Sequence, residues 1–185
     1  MSEFNPFENH RFRQLSVLDQ SPAHANALGL MLANWAFVED KLELGLQFIL
    51  DIDRDVAKAI YQHFPSTTAK IDLLIRLNRL KTSTPESLEK ISKLLIEAKN
   101  LNSMRNAYVH SMWAINQDHP GQLLRIRMML PKAEDSKKTE YEKLWLSAQK
   151  ILDDVAKIAK WSQDFFDLLH HIDPKRLNRP AKSEG

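Results

Sequence analysis

The chain has 185 residues and a net charge of +2, with apolar side chains at 43% and charged ones at 27%. This is an ordinary globular composition of one domain's length, able to bury a core without metal or disulfide. Having no cysteine excludes thiol nucleophiles, cysteine zinc sites and iron–sulfur clusters, and four scattered glycines exclude phosphate-cradling loops and dinucleotide fingerprints.

Residues 1–20 hold Glu3, Glu8, Arg11, Arg13 and Asp19 and no apolar run, so they read as an arm rather than a signal peptide. Prolines then punctuate the chain. Ser21-Pro22 is an N-cap followed by proline at the first helical position. From Pro22 to about Asp51, Leu28, Met31, Trp35, Val38, Leu42, Gly45 and Ile49 form one face of a long amphipathic helix. Gly29 and Gly45 on that helix would permit close approach of another helix. Short helices are predicted over Asp53–His63 and Ser66–Lys81. Thr84-Pro85 opens a second long helix that runs to about Ser111 through Ile91, Leu94, Leu95, Ala98 and Leu101.

Met112–Asn116 and Gln122–Leu130 flank the turn-rich Gln117-Asp118-His119-Pro120-Gly121 and predict a β-hairpin. The longest helix is expected from about Lys138 to Ile172, with Leu144, Ala148, Ile151, Val155, Ile158, Phe165 and Leu169 in register. Residues 174–185 form a basic tail. The expected architecture is all-α, a single domain: an antiparallel bundle of four to five helices over 22–172, with a small β-hairpin before the last long helix. No apolar stretch approaches the ~20 residues of a membrane span, so a cytoplasmic protein is expected.

Two charges interrupt the apolar faces. The stripe Ile91, Leu94, Ala98, Leu101 continues to Arg105, Tyr108 and Met112, which places an arginine toward the core, where a lone charge costs several kcal/mol, on the order of a buried ion's desolvation. Glu39 stands between Trp35 and Leu42 on the stripe that also holds Leu28, Leu32 and Leu46. A structural Glu39–Arg105 ion pair would fix helix register. Alternatively, Arg105 lines a polar cleft together with Asn106 and His110. Asn106 and His110 are four apart and share a face. Arg105 and His110 are five apart, about 140° around a helix.

Arg105-Asn106-Ala107-Tyr108-Val109-His110, at the end of a long helix, resembles the signature of the HEPN superfamily, an arginine and a histidine separated by four residues. The resemblance implies an all-helical domain and, in many members, a metal-independent endoribonuclease that works as a homodimer, often as a toxin or in defence against phage. It implies that His110 moves the proton at the 2′-hydroxyl or the leaving 5′-oxygen, chemistry that imidazole suits near neutral pH. Arg105 would hold a non-bridging phosphate oxygen and stabilise charge in the transition state. Asn106 would orient substrate or histidine, and Glu39 would position Arg105. Met112 stands where the subgroup regulated by nucleotidyltransferase antitoxins carries tyrosine, so that regulation is not implied. The expected partners are RNA, a second copy of the chain and an antitoxin or regulatory protein. Catalytically silent members act as interaction modules, and an antitoxin or regulator could use the same bundle without an active site.

Lys70, Arg76, Arg79 and Lys81, opposed only by Asp72, give Ser66–Lys81 a net +3, either a solvated face or a track for RNA phosphates. Arg125 and Arg127 alternate with Leu124, Ile126 and Met128, as on a hairpin with one basic face. Asp153 and Asp154 are placed on a solvent-facing helix side. His24 has no evident partner, and Trp113, Trp145 and Trp161 read as packing residues.

Overall fold

The computed structural model describes residues 17–82, 84–115, 117–129 and 140–177. The N-terminal arm up to residue 16, the tail from 178 and the predicted strand ends at 116 and 130 lie outside the described residues. The fold is mostly α-helical, with a three-stranded antiparallel sheet between its fourth and fifth helices. After a 3-10 turn at Val17–Gln20 come α1 (Pro22–Leu50), α2 (Arg54–His63), α3 (Thr67–Lys81) and α4 (Pro85–Val109). Then follow β1 (Met112–Ile115), β2 (Gln122–Met129), β3 (Glu140–Ser147), α5 (Ala148–Ile172) and the single helical turn α6 (Pro174–Leu177).

The helix starts follow from local chemistry. Pro22 and Pro85 open α1 and α4, and the Ser66 side chain accepts the Ala69 N–H at 3.2 Å to cap α3. The last long helix starts ten residues later than its apolar spacing suggested. Residues from Glu140 to Ser147 form a third strand instead, and Ser147 caps α5 by accepting the Lys150 N–H. Tyr141, Leu144 and Trp145 favour a pleated, half-buried surface, and the Leu144–Ala148 interval imitated a helical step across a strand–helix junction. The predicted hairpin is therefore part of a sheet of order β1-β2-β3, with Met112 opposite Ile126 and Ile126 opposite Lys143.

Partner contacts fix the directions of the helices. Thr68 meets Asn102, Asp72 meets Lys99 and Asn78 meets Ser92, so α3 and α4 run antiparallel. Tyr108 meets Asp154 and the Leu94 carbonyl meets Trp161, which makes α4 and α5 antiparallel as well. Helix α1, the centre of the packing, runs parallel to α5: His24 reaches Leu146, and the far end meets Phe165 and Arg176. The core between them is closed by Met31, Leu42, Leu46, Ile91, Leu95, Ile158, Trp161 and Phe165, all sealed from solvent. Among the described residues no helix is long and apolar enough to cross a membrane.

Gly45 sets the α1–α5 separation. A Cβ there would lie 2.9 Å from Cζ of Phe165, whose ring stacks on Trp161 at 5.0 Å and has no room to withdraw. Gly45→Val is expected to lower stability by about 2 kcal/mol through overpacking, read as a lower urea midpoint with unchanged m-value.

Candidate functional site

Arg105 lies on the last turns of α4, half-buried, with its guanidinium over the Trp35 ring of α1 at 5.9 Å from the centroid. Its Nη1 donates to Oδ1 of Asn106 at 3.0 Å, and its buried Nε has no hydrogen-bond partner among the described residues. Asn106 thus orients the arginine rather than the histidine. Its carbonyl also accepts the His110 N–H at 3.0 Å and closes the helix. His110 is the C-cap residue, exposed to solvent one helical turn beyond Asn106. The fold joins Arg105 with Asn106 and leaves His110 on the open end of the same helix.

The ion pair expected between Glu39 and Arg105 is replaced by another. Glu39 faces α2 and α3: Oε2 accepts from the Tyr61 hydroxyl at 2.6 Å and from Lys70 Nζ at 3.2 Å, and Oε1 accepts from the Thr67 hydroxyl. Lys70 also lies over the Tyr61 ring, 4.1 Å from its centroid. An apolar helical stripe is wide enough to touch two neighbours, and Glu39 occupies its α2–α3 edge. Lys70 is thereby withdrawn from the proposed phosphate track, because its charge neutralises a half-buried carboxylate.

Arg76 and Arg79 are exposed on the distal part of α3. The Thr68–Asn102 and Asn78–Ser92 contacts are ten residues apart on α3, about 15 Å of helical rise, which sets Arg79 well away from the Arg105 end of the α3–α4 pair. Among the described residues no group of three or more His, Asp or Glu is placed to hold a metal ion.

A second polar cluster borders the same end of α4. Asp154, 3% exposed, is not on a solvent-facing side as expected. It accepts from the Tyr108 hydroxyl at 2.7 Å, from Lys157 at 2.7 Å and from Lys150 at 3.0 Å. Arg125 is also buried, at 6% exposure, so the predicted basic hairpin face is not open to solvent there. Its guanidinium bonds Glu142 at 2.6 Å and sits over the Tyr108 ring. His24 is buried too, with Nδ1 2.7 Å from the Ser21 hydroxyl and Nε2 2.9 Å from the Leu146 carbonyl, tying α1 to the end of β3. The Lys150, Asp154, Lys157 spacing and the Ser21-x-x-His24 spacing were the available sequence signals for these groups.

Burial works to raise the carboxyl pKa of Glu39, but hydrogen bonds from Thr67 and Tyr61 and the Lys70 charge outweigh it and hold the pKa below its ordinary value. Asp154 follows the same pattern: burial opposes its charge, while bonds from Lys157, Tyr108 and Lys150 prevail. Burial and the facing carboxylates push the Tyr61 and Tyr108 phenols upward. A carboxyl depressed in the folded state contributes stability above its unfolded pKa, about 4, and loses it as pH falls through the folded value. The urea midpoint is therefore expected to hold from pH 7 to 5 and to fall below about pH 4. Glu39→Gln and Asp154→Asn should each be less stable at pH 7 and lose less on acidification. No known protein-family model matches the chain, and neither the curated proteins nor the solved structures yield a matching relative.

Proposed function

We propose that the chain is a HEPN-type helical bundle that cleaves RNA without a metal ion, through Arg105, Asn106 and His110, as a cytoplasmic toxin or phage-defence effector. The observation that carries this reading is the state of Arg105. The carboxylate that would make it a structural ion pair is held by Lys70, Tyr61 and Thr67, and Arg105 has no acidic partner among the described residues. A half-buried guanidinium held, among the described residues, by an amide and an indole face is suited to accept an anion, and a phosphodiester oxygen fits its fork.

In this reading Asn106 holds the guanidinium, Arg105 holds the phosphate, and His110 exchanges a proton with the 2′-hydroxyl or the leaving oxygen. Attack by the 2′-oxygen on phosphorus expels the 5′-oxygen and leaves a 2′,3′-cyclic phosphate. The 140° between Arg105 and His110 on α4 is bridged by the length of the substrate or by a second subunit. The test is incubation of purified protein with RNA in EDTA, followed by analysis of the ends. Cyclic phosphate ends are expected, and intact RNA overturns the proposal.

A second reading, a catalytically silent interaction module or antitoxin-like regulator, is favoured by the place of His110, an exposed C-cap residue just beyond α4, while the Arg105 guanidinium bonds Asn106 and lies over Trp35. It predicts no cleavage and co-purification with a protein partner.

A further inference from the structure

We propose that the groove between α1 and α5 beside Lys41 is a binding site for a small aromatic monoacid, a flat ring that bears one carboxylate. The groove holds about 350 Å³, the scale of a small-molecule site. Its walls are built in one-turn steps, with Phe37 and Lys41 from α1 and Ser162 and Phe166 from α5. Ala159, whose side chain is a single methyl, leaves the space between them open.

Ser162 carries the first mark of a ligand. It is 8% exposed, and its buried Oγ has no hydrogen-bond partner among the described residues. A helical serine ordinarily bonds back to the carbonyl four residues earlier, as Ser103 does to Lys99 at 3.1 Å. Ser162 does not. An unpaired buried hydroxyl carries a desolvation cost that a donor or acceptor from outside removes. Ser162 lines the groove, and a ligand group seated there meets its hydroxyl after a rotamer step about χ1.

The surrounding charges set the sign of the ligand. Among the described residues that line this groove, Lys41 is the only charged one and none is acidic. Lys41 Nζ bonds Asp40 at 3.0 Å, and Asp40 also accepts from Arg54 at 3.2 Å. Two cations thus share one carboxylate, and one positive charge is left over. An ammonium has three donors, so an incoming carboxylate takes one that Asp40 leaves free.

The body of the ligand follows from what flanks the ammonium. Through Lys41 and Phe166 the groove adjoins a cleft also lined by Asp40, Arg54 and Asp167, which is no bed for an apolar ring. On the other side stands Phe37, 62% exposed, while Lys41 Nζ lies 5.1 Å from the centroid of the Phe166 ring. A flat ring between two phenyl side chains gains stacking beyond the area it buries, with its acid at the ammonium.

Benzoate is the probe, titrated into the isotope-labelled full chain and followed by the backbone amide resonances. Saturable shifts are expected at Phe37, Lys41, Ser162 and Phe166, with a Kd of about 1 mM, ordinary for so small a ligand. Benzamide keeps the ring without the charge and should bind about tenfold more weakly or worse. Cyclohexanecarboxylate keeps the charge without the flat ring and should bind about threefold more weakly. Lys41→Met keeps the length of the side chain and should weaken benzoate by about tenfold or more. Ser162→Ala should weaken it by about fivefold, yet leave the urea midpoint of the free protein equal or higher, because a hydroxyl with no partner is gone. Absence of saturable shifts at these residues up to about 20 mM benzoate overturns the proposal. So does equal binding of either control compound, or undiminished binding by Lys41→Met or Ser162→Ala. None of these residues belongs to the Arg105–His110 site, so the outcome is independent of RNA cleavage.

Discussion

Replacing His110 by alanine is expected to lower RNA cleavage by about two orders of magnitude or more, the usual contribution of a positioned acid–base group. Its thermal midpoint should match the wild type, because the side chain is exposed and the helix-closing bond uses its backbone N–H. Arg105→Ala should lose at least as much activity, through loss of charge stabilisation worth roughly a hundredfold or more. Arg105→Lys should not restore it, since an ammonium lacks the fork that both Asn106 and a phosphate engage. The pairing of lost cleavage with retained stability at His110 is the informative result. Equal cleavage by wild type and both variants would assign the activity to a contaminant and sink the nuclease reading.

The largest effect on stability is expected at Trp161. It is 1% exposed, stacks on Phe165 and donates its indole N–H to the Leu94 carbonyl at 2.8 Å. Trp161→Ala opens a cavity where α4, α5 and the Gly45 side of α1 converge, at a cost of about 3–5 kcal/mol. For a chain of this length that corresponds to a fall of about 10 °C or more in thermal midpoint. Trp161→Phe keeps most of the buried area and should lose much less. Asp154→Ala is expected to be milder, about 1–3 kcal/mol, because Lys150 and Lys157 return to solvent and only the Tyr108 hydroxyl is left buried and unpaired. Midpoints measured for the three variants in one buffer check this order.

The starts of α1 and α4 were legible because local chemistry sets them: proline at the first turn, a serine or threonine before it, and a three-four apolar rhythm behind. Arg105 was legible as a break in that rhythm. Its partner was not, because a stripe of apolar spacing records that a residue faces inward but not which neighbour it faces. Glu39 and Arg105 both point inward, yet Glu39 meets α2 and α3 while Arg105 lies over Trp35. The third strand was hidden for a related reason. Leu144, Ala148 and Ile151 satisfy helical spacing only if the chain keeps one conformation through Ser147, and the serine that ends β3 is the residue that caps α5. Asp154 was expected to face solvent and His24 to lack a partner because burial of a polar side chain depends on partners from distant elements, Tyr108 in one case and Leu146 in the other.

The strand–helix junction at Ser147 has a mechanical consequence. Ser147 pairs across the sheet with Gln122 and caps α5 within the same residue, while the neighbouring Leu146 carbonyl is pinned to α1 through His24. No slack separates sheet from helix. A force applied at the sheet's outer edge is delivered as torque to the head of α5 and carried down a rigid rod toward the Phe165–Gly45 contact, so the two regions must tilt together.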